Sequence, residues 1–191
     1  MDMGIKESEG LVKIKDLDDS IIIDLRYASK NNFTGRKIYP LDICVLRKET
    51  AVKLINANSE FKKRGYVIKI WDAYRPIYVQ QIFWDIVKDN RFIANPKNGG
   101  SRHNRGTAVD ITLIDSKGKE ITMPSKFDDF SINAYRYNAN ESKEVSENIK
   151  LLTEVMEANG FIALDEEWWH FDDCDYKMYP VIDVRLEDFV R

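Results

Sequence analysis

Apolar positions along the chain alternate between two periods. Residues 20–25 (Ser-Ile-Ile-Ile-Asp-Leu) and 66–71 (Tyr-Val-Ile-Lys-Ile-Trp) are short, β-branched or aromatic runs bounded by polar residues or glycine, and they predict strands. Residues 43–46 predict another. Residues 49–63 place Val52, Ile55 and Phe61 at helical spacing and stop at Gly65, which predicts a helix with a glycine cap. Pro76 opens a second helix, with Val79, Ile82, Phe83, Ile86 and Val87 at intervals of three and four. A third covers residues 141–158, with Val145, Ile149, Leu152 and Met156 on one face and Gly160 after it. Period two returns over residues 107–114. There Val109, Ile111 and Leu113 share one strand face, and Asp110 and Thr112 the other. Residues 90–100 are rich in turn formers. Residues 116–137 show little periodicity and predict a long loop, which in a compact domain either covers a site or is mobile.

Composition narrows the class. There are no repeats and no Pro/Ser-rich linker, so residues 1–191 are expected to form a single domain, with 43% hydrophobic residues to fill its core. The net charge of -3 argues against nucleic acid or an anionic membrane surface as partner and favours a small polar substrate. No run approaches the roughly 20 apolar residues of a membrane span. Residues 1–10 lack the apolar core of a signal peptide, so the expected location is cytoplasmic, with export left open for a chain whose leader had been removed. Cys44 and Cys174 are expected to be two reduced thiols.

Histidine occurs only twice, each time in a short motif that also carries a carboxylate. His103 follows Ser101-Arg102 and precedes Gly106 and Asp110; His170 closes Glu167-Trp168-Trp169-His170. A lone histidine is usually a surface or hydrogen-bonded core residue. Two in such settings suit a zinc site, which takes imidazole and carboxylate and, when catalytic, keeps three protein ligands. With two histidines the third ligand must be a carboxylate, and Asp110 is favoured because Gly106 lets the backbone turn between loop and strand. Glu167 supplies the base that a hydrolytic site requires. Glu167 and His170 are three apart, which suits a helix face but not a flat strand, and residues 161–171 look strand-like. Either Glu167 ends a preceding loop with Asp165 and Glu166, or a bulge brings it round. Trp168 and Trp169 are packing or pocket-wall residues. Arg75, between a strand and a helix, is either a surface arginine or a guanidinium that faces an oxyanion or a substrate carboxylate.

These motifs, with Leu25-Arg26-Tyr27-Ala28, Asn32-Phe33-Thr34-Gly35 and Asp72-Ala73-Tyr74-Arg75-Pro76, resemble the zinc D,D-peptidases and most closely the VanX-type D-alanyl-D-alanine dipeptidases. The resemblance implies an α+β fold, a small antiparallel sheet flanked by helices, of the hedgehog-like kind. It implies one zinc ion on His103, Asp110 and His170, Glu167 as base and later proton donor, and Arg75 on the tetrahedral intermediate. It further implies Ser101 and Tyr27 at the termini of a bound dipeptide and Asp72 orienting Arg75. The expected activity is hydrolysis of D-Ala-D-Ala, linked to cell-wall precursor metabolism or glycopeptide resistance. The rivals are a D,D-carboxypeptidase or endopeptidase with an open groove, and a zinc-containing binding module. A dipeptidase needs a closed pocket, which residues 27–35 and 116–137 are placed to close.

Overall fold

The computed structural model describes residues 7–90, 93–137 and 141–190. Arg91 and Phe92, part of the turn-rich stretch, lie outside them. Chain order is β1 (Glu7–Ser8), β2 (Leu11–Lys13), α1 (Ile14–Leu17), β3 (Ile22–Ile23), β4 (Val45–Arg47), α2 (Lys48–Lys63), β5 (Tyr66–Asp72), α3 (Ile77–Val87), β6 (Ala108–Asp115), α4 (Lys143–Ala158), β7 (Phe161–Ala163) and β8 (His170–Asp173). The fold is α+β, as expected.

Two sheets form. A small antiparallel one has the order β1-β2-β4; the larger runs β3-β5-β6-β8-β7. In the larger sheet every pairing is antiparallel except the edge pair β3–β5, which is parallel. That departs from a purely antiparallel sheet. It arises because the chain leaves β3 and returns through β4 and α2, a crossover of the length that parallel pairing needs.

Three predicted strands are redrawn. The run 20–25 yields only Ile22–Ile23. The Asp24 amide still donates to the Ile70 carbonyl, after which the chain turns into a 3-10 segment, Arg26–Ala28, that inserts Tyr27 into the core. The run 43–46 becomes Val45–Arg47 and joins the smaller sheet. Residues 161–171 are two short strands with a turn between them rather than one.

Helix α4 buries the predicted stripe of Val145, Ile149, Leu152 and Met156, and Ser142 caps it by accepting from the Val145 amide. Helix α2 does not use Val52, which is 49% exposed; Ala51, Leu54, Ala57 and Phe61 face the core instead. In α3 Ile86 is likewise exposed, and Gln80 is buried beside Val79 and Phe83. The loop 116–137 is as long as expected, broken only by a bridge between Ile114 and Glu120 and a 3-10 turn, Ile132–Ala134. No helix among the described residues is long and apolar enough to cross a membrane.

Candidate metal centre and active site

Sheet register assembles the centre. Asp110 on β6 pairs with His170 on β8 and, after a register shift in β5, with Asp72 on its other side. Cross-strand partners present their side chains on a common face, so one row across three strands carries a carboxylate, a carboxylate and an imidazole. The strand β6 is buried on both faces, and period two aims Asp110 away from Val109 and Ile111.

His103 reaches the same place from the 3-10 turn Arg102–Arg105. The turn is held by a capping box. The Ser101 Oγ accepts from the His103 amide at 3.2 Å, and the Asn104 Oδ1 accepts from the Ser101 amide at 2.7 Å. Three bonds then tie the turn to the segment after β5: the Arg75 amide donates to the His103 carbonyl (3.0 Å), the Asn104 amide group to the Arg75 carbonyl (2.7 Å), and His103 Nδ1 lies 2.7 Å from the Ala73 carbonyl. Gly106 ends the turn with φ +72, and a Cβ there would lie 2.5 Å from the Leu11 side chain. Only glycine fits that approach, so the predicted role of Gly106 in joining turn to strand holds.

The donor atoms converge. His103, Asp110 and His170 are all buried, and one ligand atom from each lies within 4.8 Å of the others. His170 Nδ1 is 2.9 Å from Asp110 Oδ1, and His103 Nε2 is 3.3 Å from His170 Nδ1 and 3.4 Å from Asp110 Oδ2. The far nitrogen of each ring is fixed. A carbonyl can only accept, so His103 Nδ1 carries hydrogen toward Ala73 and leaves the Nε2 lone pair facing inward. His170 Nε2 lies 2.9 Å from Asp172 Oδ1, whose other oxygen lies 3.2 Å from Arg102 Nε. This places Asp172 as the carboxylate behind a ligating imidazole. Burial opposes a charged His170, yet the hydrogen bonds to Asp110 and Asp172 override it and lift its pKa to about 10. Burial also works against ionised Asp110, but His103 and His170 drive its pKa well below the carboxylate range. The cluster therefore demands positive charge at its centre, which a divalent cation provides when it displaces the protons.

Around this centre lies a pocket of about 180 Å³, lined by Tyr27, Arg75, Ser101, Asp128, Glu167 and Trp169 among others. Glu167 stands in the turn between β7 and β8, so of the two alternatives the loop is the right one. The His170 amide donates to the Glu167 carbonyl, and the Glu167 carboxylate lies 3.9 Å from His170 Nδ1. Desolvation raises its pKa to about 7; His170 opposes the rise and Asp110 adds to it. That value suits a group which takes and returns a proton near neutrality.

Arg75 is buried with its guanidinium braced. Nε and Nη2 donate to Asp72 Oδ2 (3.0 and 2.7 Å), and Nη1 to Gln80 Oε1 (2.9 Å). Asp72 is itself held by the Tyr39 hydroxyl (2.6 Å) and the Ala73 amide (2.9 Å). Three of five guanidinium hydrogens are thus committed and two remain for the pocket. Tyr27 is buried, and its hydroxyl donates to Asp128. Enclosure of the half-buried Asp128 raises its pKa to about 8; Tyr27 opposes the rise and Asp110 adds to it. The loop 116–137 and the segment 27–35 do meet: Phe33 packs on Phe130 and Tyr27 on Phe127. Beyond Asp128 a larger cavity of about 790 Å³ opens, lined by Trp71, Phe127 and Trp168, so both tryptophans of the Glu167–His170 motif serve as cavity walls.

Sequence reasoning missed Asp128, Asp172, Gln80 and Tyr39. Asp172 had a signal, since two residues on from His170 is the same strand face. Gln80 had one too, as a polar residue on an apolar helix face. Asp128 had none.

A buried two-histidine, one-aspartate centre beside a free glutamate and a braced arginine, on an α+β scaffold, defines a hydrolase of the metallopeptidase class. A family model described as D-ala-D-ala dipeptidase, Peptidase M15, matches residues 7–189, and the chain belongs to that family. It is 30% identical over 186 residues to a D-alanyl-D-alanine dipeptidase of Escherichia coli (strain K12), covering 97% of this chain and 96% of that one. It is 29% identical over 173 residues to the enzyme of that name from Enterococcus faecium, covering 78% and 83%. Among solved structures, the LdcB LD-carboxypeptidase superposes with a TM-score of 0.49 at 20% identity, covering 91% of this chain and 73% of that one.

Proposed function

We propose that this chain hydrolyses D-alanyl-D-alanine to two molecules of D-alanine, with one zinc ion held by His103, Asp110 and His170. The observation that carries the proposal is the content of the pocket. It brings the donor triad, Glu167 and Arg75 together on one side and a Tyr27–Asp128 wall on the other. At about 180 Å³ it is smaller than the roughly 300–1,000 Å³ sites that take drug-sized ligands, in keeping with a dipeptide.

A bound zinc ion would supply Lewis acidity, making water acidic near neutrality and polarising the scissile carbonyl. The rest falls to the chain. Glu167 takes the proton from the attacking water and delivers it to the departing amine, two duties that a pKa of about 7 permits. Arg75 turns its two uncommitted N–H groups to the oxyanion of the tetrahedral intermediate, already oriented by Asp72 and Gln80. Asp128 receives the free ammonium of the dipeptide, whose charge favours the ionised carboxylate, and Tyr27 positions that carboxylate. Ser101 acts by holding His103 in place.

A wall at the ammonium end separates a dipeptidase from a carboxypeptidase or endopeptidase. Turnover of D-Ala-D-Ala and of an acyl-blocked D-Ala-D-Ala peptide, with and without chelator, tests the proposal. Chelator-sensitive release of D-alanine from the free dipeptide alone is expected. Faster release from the blocked peptide would transfer the chain to the carboxypeptidases, and zinc binding without turnover of either would make it a binding module.

A further inference from the structure

Arg136 is fully buried, yet it lies outside the pocket and serves none of the steps above. Its acceptors are carbonyl oxygens of the turn that carries Glu167. Nε donates to the Leu164 carbonyl at 3.2 Å, and Nη2 donates to the Glu167 carbonyl at 3.3 Å and the His170 carbonyl at 3.0 Å. Nη1 donates to the Thr153 hydroxyl on α4 at 3.1 Å, and the guanidinium lies over the Phe171 ring at 4.5 Å. Backbone bonds reinforce the same junction: the Arg136 amide donates to the Asp165 carbonyl, and the Trp168 amide to the Ala134 carbonyl.

Burying an arginine is costly, and a turn of this length is held by few bonds of its own. A planar fork that reaches three carbonyls fixes their relative positions, which a single point charge cannot do. We infer that Arg136 is a positioning residue for catalysis: it holds the turn 164–170 so that Glu167 faces the reacting water. The inference rests on the dipeptidase reading for its kinetic half only. It also joins the two walls of the pocket, since the loop that ends at Arg136 carries Asp128.

The decisive variant is Arg136→Lys, which keeps stem and charge but not the fork. A base displaced by about 1 Å costs on the order of a hundredfold, so kcat for D-Ala-D-Ala is expected to fall about ten- to a hundredfold. KM and zinc stoichiometry should stay unchanged, and amide exchange in residues 164–170 should rise above that of β5 and β6. Arg136→Ala is expected to regain part of its kcat from millimolar guanidinium; if it fails to fold, the lysine variant decides alone. Wild-type kcat in the lysine variant, unaltered exchange in 164–170, or a loss of kcat matched by an equal loss of zinc or of folded protein would each overturn the inference. The wild-type enzyme in the same assay separates the two levels. Its failure to cleave D-Ala-D-Ala would remove the dipeptidase reading, while the exchange data still decide what Arg136 does to the turn.

Discussion

The two walls of the pocket are built by opposite means. The metal wall is set by the sheet, where Asp110 and His170 are paired residues on neighbouring strands and backbone register alone brings them together. The opposing wall is set by a loop, where Asp128 meets Tyr27 across 101 residues of sequence and only side chains close the contact. Two of the three metal donors sit on strands, and the carboxylate proposed to meet the substrate's ammonium sits on the loop. Variation around Asp128 can then change which substrates enter while leaving Asp110 and His170 paired.

The largest effect is expected at the metal wall. His103→Ala removes one of three donors and leaves the inward-facing His170 and Asp110 unmatched, so zinc should be lost and D-Ala-D-Ala turnover abolished. Metal analysis of the purified variant checks this. Full zinc stoichiometry would break the assignment of His103.

At the seam between the walls, Glu167→Ala should keep zinc, because the three donors and Asp172 are untouched, yet lose about 10²- to 10⁴-fold in kcat. Metal content and kcat measured on the same sample decide it. Zinc lost together with activity would move Glu167 from base to ligand.

Asp128→Asn probes the loop wall. A charge-assisted hydrogen bond contributes about 1.5–3 kcal/mol, so KM for D-Ala-D-Ala should rise about 10- to 100-fold, with kcat much less affected. The same variant carries a pH signature. Folded Asp128 holds its proton up to about pH 8, against an ordinary value of 3.8. Between those limits the folded chain binds more protons than the unfolded one, so this contribution to stability is fully present below pH 4 and lost as pH rises toward 8. Asparagine abolishes that slope. The Tm of the variant relative to wild type should therefore rise from pH 5 to pH 8, and a flat difference would show that the carboxyl is not enclosed in solution.

The contrast between the walls also explains what could be foreseen. Strands β5 and β6, helix α4 and the His103, Asp110 and His170 set follow from period-two and period-3.6 patterning and from the rarity of histidine, which are local properties of the chain. The edge strand β3 could not be bounded this way, because its end is decided by Tyr27 leaving the sheet for the core. Val52 was misplaced because Ala51 and Ala57 face the core in its stead. Asp128 and Arg136 lie in a stretch without period, and their partners are 17 to 101 residues away. Long-range contacts made by single side chains leave no mark on local spacing. Asp172 differs, since it sits on the same strand face as His170 and was open to the same argument that placed Asp110.

The smallest effect belongs to Ser101, which separates the two walls most finely. By resemblance it faces the substrate; by geometry its hydroxyl accepts from the His103 amide as the cap of a 3-10 turn. Ser101→Ala as a lost cap costs about 1 kcal/mol, which for a chain of this size lowers Tm by about 2–4 °C. The Asn104 bond to Arg75 and the His103 bond to Ala73 survive, so zinc should be retained and KM should change less than about threefold. Thermal melts and steady-state kinetics on the one variant distinguish the roles. A KM raised about tenfold or more at unchanged Tm would return Ser101 to the substrate and extend recognition from the loop onto the metal wall.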